Sequence, residues 1–404
     1  MHKSDLTILR DKRFARTFLS RTLTVLGGSI SPIAIAFAVL DLPGANAKSL
    51  ALVEMMVVTF QVIAIMIGGV LADRWSRSGT VSLGGFVAAT GMGFIGILFS
   101  TEQATIHLIA YSGILIGLGS GLGFPVYTAI IADIVAPEQR QSANALIRLG
   151  RNISGIGGAG IAGTLVYAIG NAGTQFIVTS LFLASALNMS GLQLRANNPS
   201  GKSIFKDLKD GWQEFVSRPW IVVVVVASLL INACAGGAID VVGPVIAKAE
   251  LGGARGWSLI VASGSIGTVL GALIAMRIRY RRPLVIGNIA MIALPISFYS
   301  LSAPMPLIVC AATFVLSGIA GDIFGVAWDG ALQREVPPDA LARVSAYDWF
   351  GSMAAAPIGI AVAGASATRF GNSVTMQWLA ILALVGVLAP LCFRSVTRLA
   401  SLER

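Results

Sequence analysis

The sequence predicts an all-α integral membrane protein with twelve transmembrane helices, arranged as two pseudo-symmetric bundles of six. Three observations predict this class. Hydrophobic residues make up 55% of the 404 residues and charged residues only 12%, about half the share found in soluble domains. The 46 glycines fit the same class, because small residues let membrane helices pack closely. Finally, apolar runs of about 20 residues, long enough to cross a ~30 Å hydrocarbon core as helices, recur along the whole chain.

Each predicted span ends where charged or turn-forming residues interrupt the apolar run. The longest connection, residues 195–219, falls near the middle of the chain. We therefore predict an N-terminal bundle at 1–194, a linker at 195–219 and a C-terminal bundle at 220–404. The twelve spans are predicted at 18–40, 50–72, 80–99, 106–130, 145–168, 174–194, 220–243, 257–276, 283–301, 306–332, 344–367 and 374–393.

An internal repeat supports the division into two related halves. Shifting the sequence by 201 residues aligns residues 126–163 with 327–364 without a gap. Both segments contain a helix, a short turn with proline, acid and base, and then a Gly/Ala-rich helix. Two duplicated six-helix halves with a site between them form a recurring plan of membrane transporters. The identical residues are Val135, Pro137, Ala145, Gly150, Gly158, Ala162 and Gly163, which align with Val336, Pro338, Ala346, Gly351, Gly359, Ala363 and Gly364.

The linker contains a pattern typical of an amphipathic helix. Its apolar residues recur at helical spacing with Lys and Asp between them, which predicts a short helix on the cytoplasmic membrane surface. A connection between the two bundles is a simpler interpretation of this segment than a binding element. The apolar positions are Ile204, Phe205, Leu208, Trp212, Phe215 and Val216.

The distribution of positive charge predicts the orientation. The net charge is +10, but no run of five or more consecutive Lys or Arg occurs, so we do not expect nucleic-acid binding. If both termini are cytoplasmic, only Lys48, Lys248, Arg255 and Arg369 of the 29 Lys and Arg residues lie outside. Cytoplasmic loops of membrane proteins carry such an excess of positive charge. We therefore predict a multi-pass protein of the inner (plasma) membrane with both termini in the cytoplasm.

The sequence offers little material for a catalytic or metal centre. His2 and His107 are the only histidines, and Cys234, Cys310 and Cys392 lie in separate apolar segments without paired spacing. The phosphate-binding pattern G-x-x-x-x-G-K-[ST] is absent, so the chain does not hydrolyse ATP through such a loop. We expect a transporter without a cofactor or metal. A membrane enzyme or a non-transporting receptor is the alternative, and an enzyme would need a polar cluster that the scattered acids do not provide.

A cluster of charges stands at the end of the second predicted span. In GGVLADRWSRSGTV (68–81), the apolar run stops at Asp73-Arg74, and Arg77 follows three residues later. An acid there avoids the negative C-terminal end of its own helix if it faces the positive N-terminus of another helix. Arg77 is placed to pair with Asp133 at the end of the fourth span, which gives a small cytoplasmic clasp. The alternative is an ordinary interfacial cap with positive-inside charge.

This segment resembles the loop between helices 2 and 3 of the major facilitator superfamily, whose pattern is G-x-L-a-D-R-x-G-R-[KR]. Ser76 stands where the pattern has Gly, and Ser78 where it has a base. Residues 271–282 repeat the pattern weakly, with Ala275 in place of the acid. Residues 137–146 and 332–349 resemble the branch that contains enterobactin-type siderophore exporters and macrolide efflux proteins. The matching residues are Gly69, Leu71, Asp73, Arg74 and Arg77.

The resemblance implies a secondary transporter that works by alternating access, with a cytoplasmic gate that holds the two halves closed on the inside. It favours proton-coupled export of a hydrophobic or amphipathic small molecule, such as a drug, siderophore or secondary metabolite, by a monomer in the lipid bilayer. Nutrient uptake or lipid flipping on the same fold is the alternative. In the C-terminal half, Asp329 and Asp348 are expected to mirror the first clasp together with Arg334 and Arg343. The predicted gate residues are Gly69, Asp73, Arg74, Arg77, Asp133, Arg334, Arg343 and Asp348.

Acids within the spans are candidates for the proton-coupling site, because an intramembrane ionisable residue is usually functional. Asp322 lies about 16 residues into the tenth span, or ~24 Å along a helix; it is either a proton or cation site in the central cavity or an internal salt-bridge partner. Asp240, shortly before Pro244, lies nearer the outer surface, and Asp41 follows the first span. Arg21, near the inner end of the first span, is expected to reach to the membrane interface.

The resemblance implies that spans 1, 4, 7 and 10 line the transport cavity. Aromatic walls would suit a bulky amphipathic substrate, whereas helix packing is the alternative for each residue. Two features common in drug/proton exporters of the superfamily are absent: a Gly-Pro pair in the fifth span, where residues 157–160 read GGAG, and a buried Arg in the fourth span. These absences count against the standard drug/proton exchange mechanism. The cavity candidates are Tyr111, Phe124, Tyr127, Asn232, Phe324 and Trp328.

Overall fold

The computed structural model describes residues 5–123, 126–136, 139–192, 211–277, 281–303 and 305–399. In these residues the chain is helical and contains no β-strand. Eleven helices are long and apolar enough to cross a membrane, and one of them, spanning residues 140–190, is two helices joined at Gly170. With this pair counted as two spans, the described chain has twelve membrane helices. The predicted fold class is confirmed.

We number these membrane helices α1 to α12 in chain order. The first six are α1 (Lys12–Leu40), α2 (Ala47–Arg74), α3 (Arg77–Ser100), α4 (Ile106–Gly123 and, beyond residues 124–125, Val126–Ile134), and the pair α5 and α6, which make up Arg140–Ser190 on either side of Gly170. The last six are α7 (Pro219–Ala235, the π-helical turn Gly236–Val242, and Gly243–Glu250), α8 (Gly253–Ala275), α9 (Pro283–Ala290 and Ala293–Ser302), α10 (Leu307–Glu335), α11 (Pro338–Met353 and Ala356–Phe370) and α12 (Asn372–Leu388).

Local chemistry sets several helix ends. The Asp11 side chain begins α1 by accepting hydrogen bonds from the backbone N–H groups of Arg13 at 2.7 Å and Phe14 at 3.4 Å. The Ser76 Oγ begins α3 by accepting from the N–H of Gly79 at 3.1 Å, as N-cap serines do. Gly170 has a φ of 72°, a conformation that glycine adopts readily, and the chain reverses there between α5 and α6. Ser76, which replaces the Gly of the family pattern, is thus a helix cap.

A π-helical turn interrupts α7 directly before Gly243 and Pro244, and the proline explains it. Pro244 has no backbone N–H and cannot donate to the carbonyl of Asp240, four residues earlier, which its ring would also crowd. The N–H of Gly243 instead donates to the carbonyl of Ala238, five residues back, and the turn Gly236–Val242 widens. Such single-turn π-bulges occur frequently at functional sites. Asp240 is part of this widened turn.

Packing divides the chain into two units. Unit 1 comprises residues 1–45 and 52–200, and unit 2 comprises residues 46–51 and 201–404. In unit 1, α1 packs along the α5–α6 pair, and α3 packs against α4 and α6. In unit 2, α8 packs along α10, and α7 packs against α11 and α12.

Glycines allow helix backbones to touch within each unit. A Cβ atom added to Gly117 of α4 would lie 2.2 Å from the carbonyl oxygen of Val57 in α2. In unit 2, a Cβ atom added to Gly318 of α10 would lie 2.1 Å from the carbonyl oxygen of Gly264 in α8. Interfaces between membrane helices are enriched in small residues, which let the backbones approach closely. The high glycine content therefore has a direct structural use.

The described end of the linker, residues 211–216, is helical and packs on α11. The ring centroids of Trp212 and Phe215 lie 5.6 and 6.0 Å from that of Tyr347. A Cβ atom at Gly211 would lie 3.0 Å from the Cβ of Arg343. This segment is therefore docked on unit 2 through aromatic contacts. Three other residues of the predicted amphipathic helix, Ile204, Phe205 and Leu208, lie outside the described residues.

Candidate transport site

Unit 1 carries an ion pair beside the connection between α2 and α3. Arg77, the first residue of α3, donates from Nη1 to Oδ2 of Asp133 in the last turn of α4. The two side chains are 15% and 28% exposed, so the pair is partly shielded from water, which strengthens it relative to an exposed surface pair. The structure thus brings together the two residues that the sequence analysis expected to form a clasp. Their role as a gate stays a prediction.

The other residues of the motif are placed differently. A Cβ atom added to Gly69 would meet nothing within 4 Å, whereas one added to Gly68 would lie 2.5 Å from the carbonyl oxygen of Leu122. Gly68 is therefore the residue that allows α2 to approach α4. Arg74 is exposed at the end of α2, and the side chain of Asp73 lies outside the described side chains.

Breaking the ion pair is expected to slow transport. Arg77→Gln and Asp133→Asn should each reduce the initial transport rate about fivefold, the factor that corresponds to ~1 kcal/mol for a partly exposed pair. The charge-swapped double variant Arg77→Asp/Asp133→Arg should recover part of this loss. Initial rates in membrane vesicles, normalised to the amount of protein, provide the measurement. Arg10→Gln, at an exposed arginine before α1, is the matched control, and wild-type rates in both single variants would contradict a role for the pair.

The expected counterpart in unit 2 is built from other contacts. Arg334 donates from Nε to the adjacent Glu335 at 2.9 Å. Asp348 accepts from the Trp328 Nε1 at 2.9 Å and from the Ser352 Oγ at 3.4 Å. Arg334 and Asp348 are therefore not paired with each other, because the carboxylate of Asp348 is directed at the indole of α10 and at its own helix. A second clasp that involves Asp329 and Arg343 stays a prediction.

Asp240 is a partly buried acid in the π-helical turn of α7. Within the described part of the chain, its carboxylate makes no hydrogen bond or ion pair. A carboxylate is costly to keep within a membrane span, so an acid there is by default a functional group. The role of Asp240 as a proton-coupling residue stays a prediction.

The other two predicted coupling acids have closer neighbours. Asp322 lies where α10 passes α8, and its Cβ is 2.9 Å from the position of a Cβ added to Gly271. The Asp322 side chain therefore lies at the contact between these two helices. Asp41 follows α1, is exposed, and accepts from the Asn171 Nδ2 at 3.1 Å. Asp41 therefore connects the end of α1 to the beginning of α6.

A network of hydroxyl groups lies inside unit 1, and Tyr127 is its only member among the residues predicted from the sequence to form the site. The Ser185 Oγ lies 2.7 Å from the Ser20 Oγ and 2.8 Å from the Thr24 Oγ1, and both of these reach the Tyr127 hydroxyl, at 3.0 and 3.2 Å. The guanidinium of Arg21 lies over the Tyr127 ring, 4.6 Å from its centroid. Arg21 thus packs inside the unit, contrary to the expectation that it reaches to the interface. Serines and threonines in apolar helices give no sequence signal of this kind, because they also bond to their own backbone.

The cavity candidates of unit 2 are largely packed. The Trp328 ring stacks with Phe324 at 6.4 Å and meets the edge of Trp220 at 5.4 Å, inside a hydrophobic cluster. The Asn232 Nδ2 donates to the backbone carbonyl of Ser352 at 3.0 Å and so connects α7 to α11.

The cavity candidates of unit 1 are placed differently. Tyr111 is 64% exposed. Phe124 lies outside the described residues.

Unit 2 contains an uncharged cavity of about 240 Å³ beside the π-helical turn. Ile239, the neighbour of Asp240, forms part of its wall. Hydroxyl groups from α8, α9 and α10 alternate with apolar side chains around the rest. The hydroxyl residues of the wall are Ser265, Thr268, Ser297 and Ser317.

These features are those of an integral membrane protein with many membrane-spanning helices. The chain is a bundle of membrane helices with a few charged residues inside the spans, and no group of three or more His, Cys, Asp or Glu is placed to hold a metal ion among the residues that the structure describes. The sequence profile of the Major Facilitator Superfamily matches residues 17–347, and the chain belongs to this family. It is a multi-pass protein of the plasma membrane and a transporter rather than an enzyme.

Similar proteins agree with this assignment. The chain is 24% identical to the multidrug efflux pump Tap of Mycolicibacterium fortuitum over 390 residues, which cover 90% of this chain and 91% of that protein. It is 26% identical to the enterobactin exporter EntS of Salmonella choleraesuis (strain SC-B67) over 350 residues, 81% of each chain. Among solved structures, the nucleoside transporter NupG superposes with a TM-score of 0.75 at 14% identity, over 94% of this chain and 98% of that one. That last likeness concerns the fold alone.

Proposed function

We propose that this protein exports a hydrophobic or amphipathic small molecule, of the drug, siderophore or secondary-metabolite class, in exchange for protons. The single observation that carries the coupling is the partly buried carboxylate of Asp240, which makes no hydrogen bond or ion pair among the described residues, in the π-helical turn of α7.

The direction of transport is supported by the relatives. The multidrug efflux pump and the enterobactin exporter both match more than four-fifths of this chain. Their names describe export of small molecules from the cell. Export is therefore the direction that the comparisons favour for this chain.

The coupling is supported by the position of Asp240. The pump has no phosphate-binding loop of the ATP-hydrolysing type, so an ion gradient is the available energy source. In the proposed cycle, Asp240 takes up a proton from the outer side, becomes neutral and releases the proton to the cytoplasm after the protein changes conformation. Substrate moves outward in the opposite half of the cycle. A widened π-helical turn gives this part of α7 a backbone that can adjust locally, as π-bulges at functional sites do.

The conformational cycle is supported by the clasp in unit 1. The Arg77–Asp133 ion pair joins the beginning of α3 to the last turn of α4. In alternating access, one bundle rocks against the other around a fixed site. We assign the pair to the state in which the cytoplasmic side is closed, and it must weaken when that side opens.

The uncharged cavity of unit 2 supports an amphipathic substrate. Its wall combines hydroxyl groups with apolar residues such as Ile239 and Phe314. Ligand pockets are usually mostly apolar, with a few polar groups that fix orientation. We place the uncharged part of the substrate here, one residue from the proposed proton site.

A panel of compounds tested in everted membrane vesicles checks the proposal. The vesicle lumen is made acidic, and luminal pH is followed while a drug, a macrolide or a catecholate siderophore is added outside. Antiport predicts that at least one compound causes loss of luminal protons, and that vesicles without the protein do not respond. The absence of a response across the panel would contradict the proposal and favour uptake or lipid flipping.

A further inference from the structure

A small cavity lies inside unit 1, where α1, α3, α4 and α6 meet. Its volume is about 20 Å³, which is room for one or two water-sized groups. Arg21 of α1 is the only charged residue among the described residues of its wall, and Ser120 of α4 also brings a polar side chain to it. The Tyr127 ring and Phe182 contribute apolar surface. The cavity therefore combines one cation with a hydroxyl group in apolar surroundings.

Arg21 has no acidic partner, although it lies within a membrane span. It stands about nine residues into α1, or ~14 Å along the helix. Its guanidinium covers the Tyr127 ring at 4.6 Å from the centroid, and it forms no hydrogen bond or ion pair with the described residues. Charged residues inside membrane spans almost always pair with another group or mark the path of a substrate or ion. The charge of Arg21 is therefore not neutralised by the described protein.

The unpaired donors can be reached from the cavity. None of the Arg21 nitrogens has a hydrogen-bond acceptor, yet none of them is among the fully buried atoms that lack a partner, so each keeps some accessible surface. The Ser120 side chain is half-buried and likewise makes no hydrogen bond with the described residues. The Tyr127 hydroxyl, in contrast, is already held by Ser20 and Thr24. Two donors, one of them charged, are thus available to an acceptor placed in the cavity.

The helices around the cavity make it electropositive. Arg151 of α5 is a second positive charge, close enough to Arg21 for the two to repel each other. The sequences of α1, α3 and the α5–α6 pair contain no Asp or Glu. The single acid of α4 is Asp133, which is paired with Arg77. An anion in the cavity would therefore meet attraction from two arginines and no repulsion from an unpaired acid of these helices.

We propose that this cavity binds the anionic group, such as a carboxylate, of an amphipathic transport substrate. The planar guanidinium of Arg21 matches the two oxygens of a carboxylate, and Ser120 offers a further donor. The volume admits the anionic group alone. Because Arg21, Thr24 and Ser120 are each partly exposed, the cavity is open on their side, and the remainder of the molecule extends out of it there. This inference names the charge of the exported molecule and so rests on the proposed function.

Binding of a matched pair of probes to the purified full chain tests the proposal. 1-Naphthoate and 1-naphthamide share a ring system and nearly the same shape, but only 1-naphthoate is an anion at neutral pH. Calorimetric titration in chloride-free buffer should show about tenfold tighter binding of 1-naphthoate, the scale of a hydrogen bond to a charged group. Arg21→Gln should remove this preference, and Arg21→Lys should keep part of it, because lysine retains the charge without the planar fork. Arg148→Gln, which removes an exposed arginine from α5, should leave the preference unchanged.

A steric variant keeps the proposal testable if the Arg21 variants fold poorly. Gly123 forms part of the cavity wall, and a Cβ atom there would lie 3.7 Å from the Tyr127 Cε2 and 3.9 Å from the Val81 Cα, which are ordinary contacts. Gly123→Ala should therefore be accommodated and should narrow the cavity, so that binding of 1-naphthoate weakens although every arginine remains. Equal wild-type affinity for the two probes, equal loss in Arg148→Gln and Arg21→Gln, or unchanged binding in Gly123→Ala would each overturn the proposal. Chloride that raises the melting temperature of the wild type but not of Arg21→Gln, without any preference for 1-naphthoate, would show a site for a free anion instead.

The binding measurement separates this inference from the proposed function, because it needs neither a gradient nor an oriented membrane. Proton-linked export in the vesicle panel together with equal binding of the two probes would overturn the anion site alone. Selective binding of 1-naphthoate without any response in the vesicle panel would support the anion site and contradict proton-coupled export.

Discussion

Asp240→Asn is expected to abolish transport driven by a proton gradient. Asn has nearly the shape of the protonated carboxyl group but cannot release a proton, so the site is held in its neutral form. Accumulation of substrate in acid-lumen vesicles should fall roughly tenfold or more, because an intramembrane acid of this kind carries the coupling. Exchange of labelled for unlabelled substrate without a gradient should continue, since that reaction needs no net proton movement.

Two controls accompany this variant. Glu102→Gln removes an exposed acid from the connection between α3 and α4 and should leave gradient-driven transport intact. Asp322→Asn tests the other deep acid in the same assay. If Asp240→Asn keeps full gradient dependence while Asp322→Asn loses it, the coupling site lies at the contact between α8 and α10, and the assignment to α7 is wrong.

Gly318→Ala is expected to destabilise unit 2, although it adds a single methyl group. The new Cβ would lie 2.1 Å from the carbonyl oxygen of Gly264. Because the obstacle is backbone, α8 and α10 must move apart, and overpacking of this kind costs about 1–3 kcal/mol. The melting temperature of the purified protein in detergent should fall, and its yield as a single species should fall with it.

Gly325→Ala in the same helix is the matched control. A Cβ atom there meets nothing within 4 Å, and alanine favours helix by about 0.5–1 kcal/mol over glycine. This variant should therefore be neutral or slightly stabilising. Equal melting temperatures for Gly318→Ala and Gly325→Ala would contradict close backbone contact between α8 and α10.

The twelve spans could be predicted from the sequence because length and apolarity are what a membrane demands of a helix. The interruptions could not be predicted in the same way. Pro244 indicates a disturbed helix, but only the hydrogen bond from Gly243 to Ala238 shows that the chain responds with a π-helical turn. The predicted single ninth span is likewise broken, between Ala290 and Ala293. Such adjustments depend on neighbouring helices, which a single sequence does not contain.

The candidate site was predictable where charges stand at the ends of spans. Arg77 and Asp133 are the charged residues of adjacent helix ends, and the structure places them together. The neighbours of Asp348 could not be predicted in the same way, because each residue advances around a helix by about 100° and a small error in helix rotation changes the neighbour. The structure places the Trp328 indole beside the carboxylate of Asp348.

Accumulation of a compound in proteoliposomes that contain only this protein tests the central claim most directly. The compound is the one that causes proton loss in the vesicle panel, the lumen is acidic, the cytoplasmic face of the protein is outward, and no nucleotide is present. Proton-coupled export predicts that the compound concentrates inside, and that a protonophore abolishes the concentration. Accumulation that persists without a gradient, or movement of the compound only toward the cytoplasmic face, would contradict it.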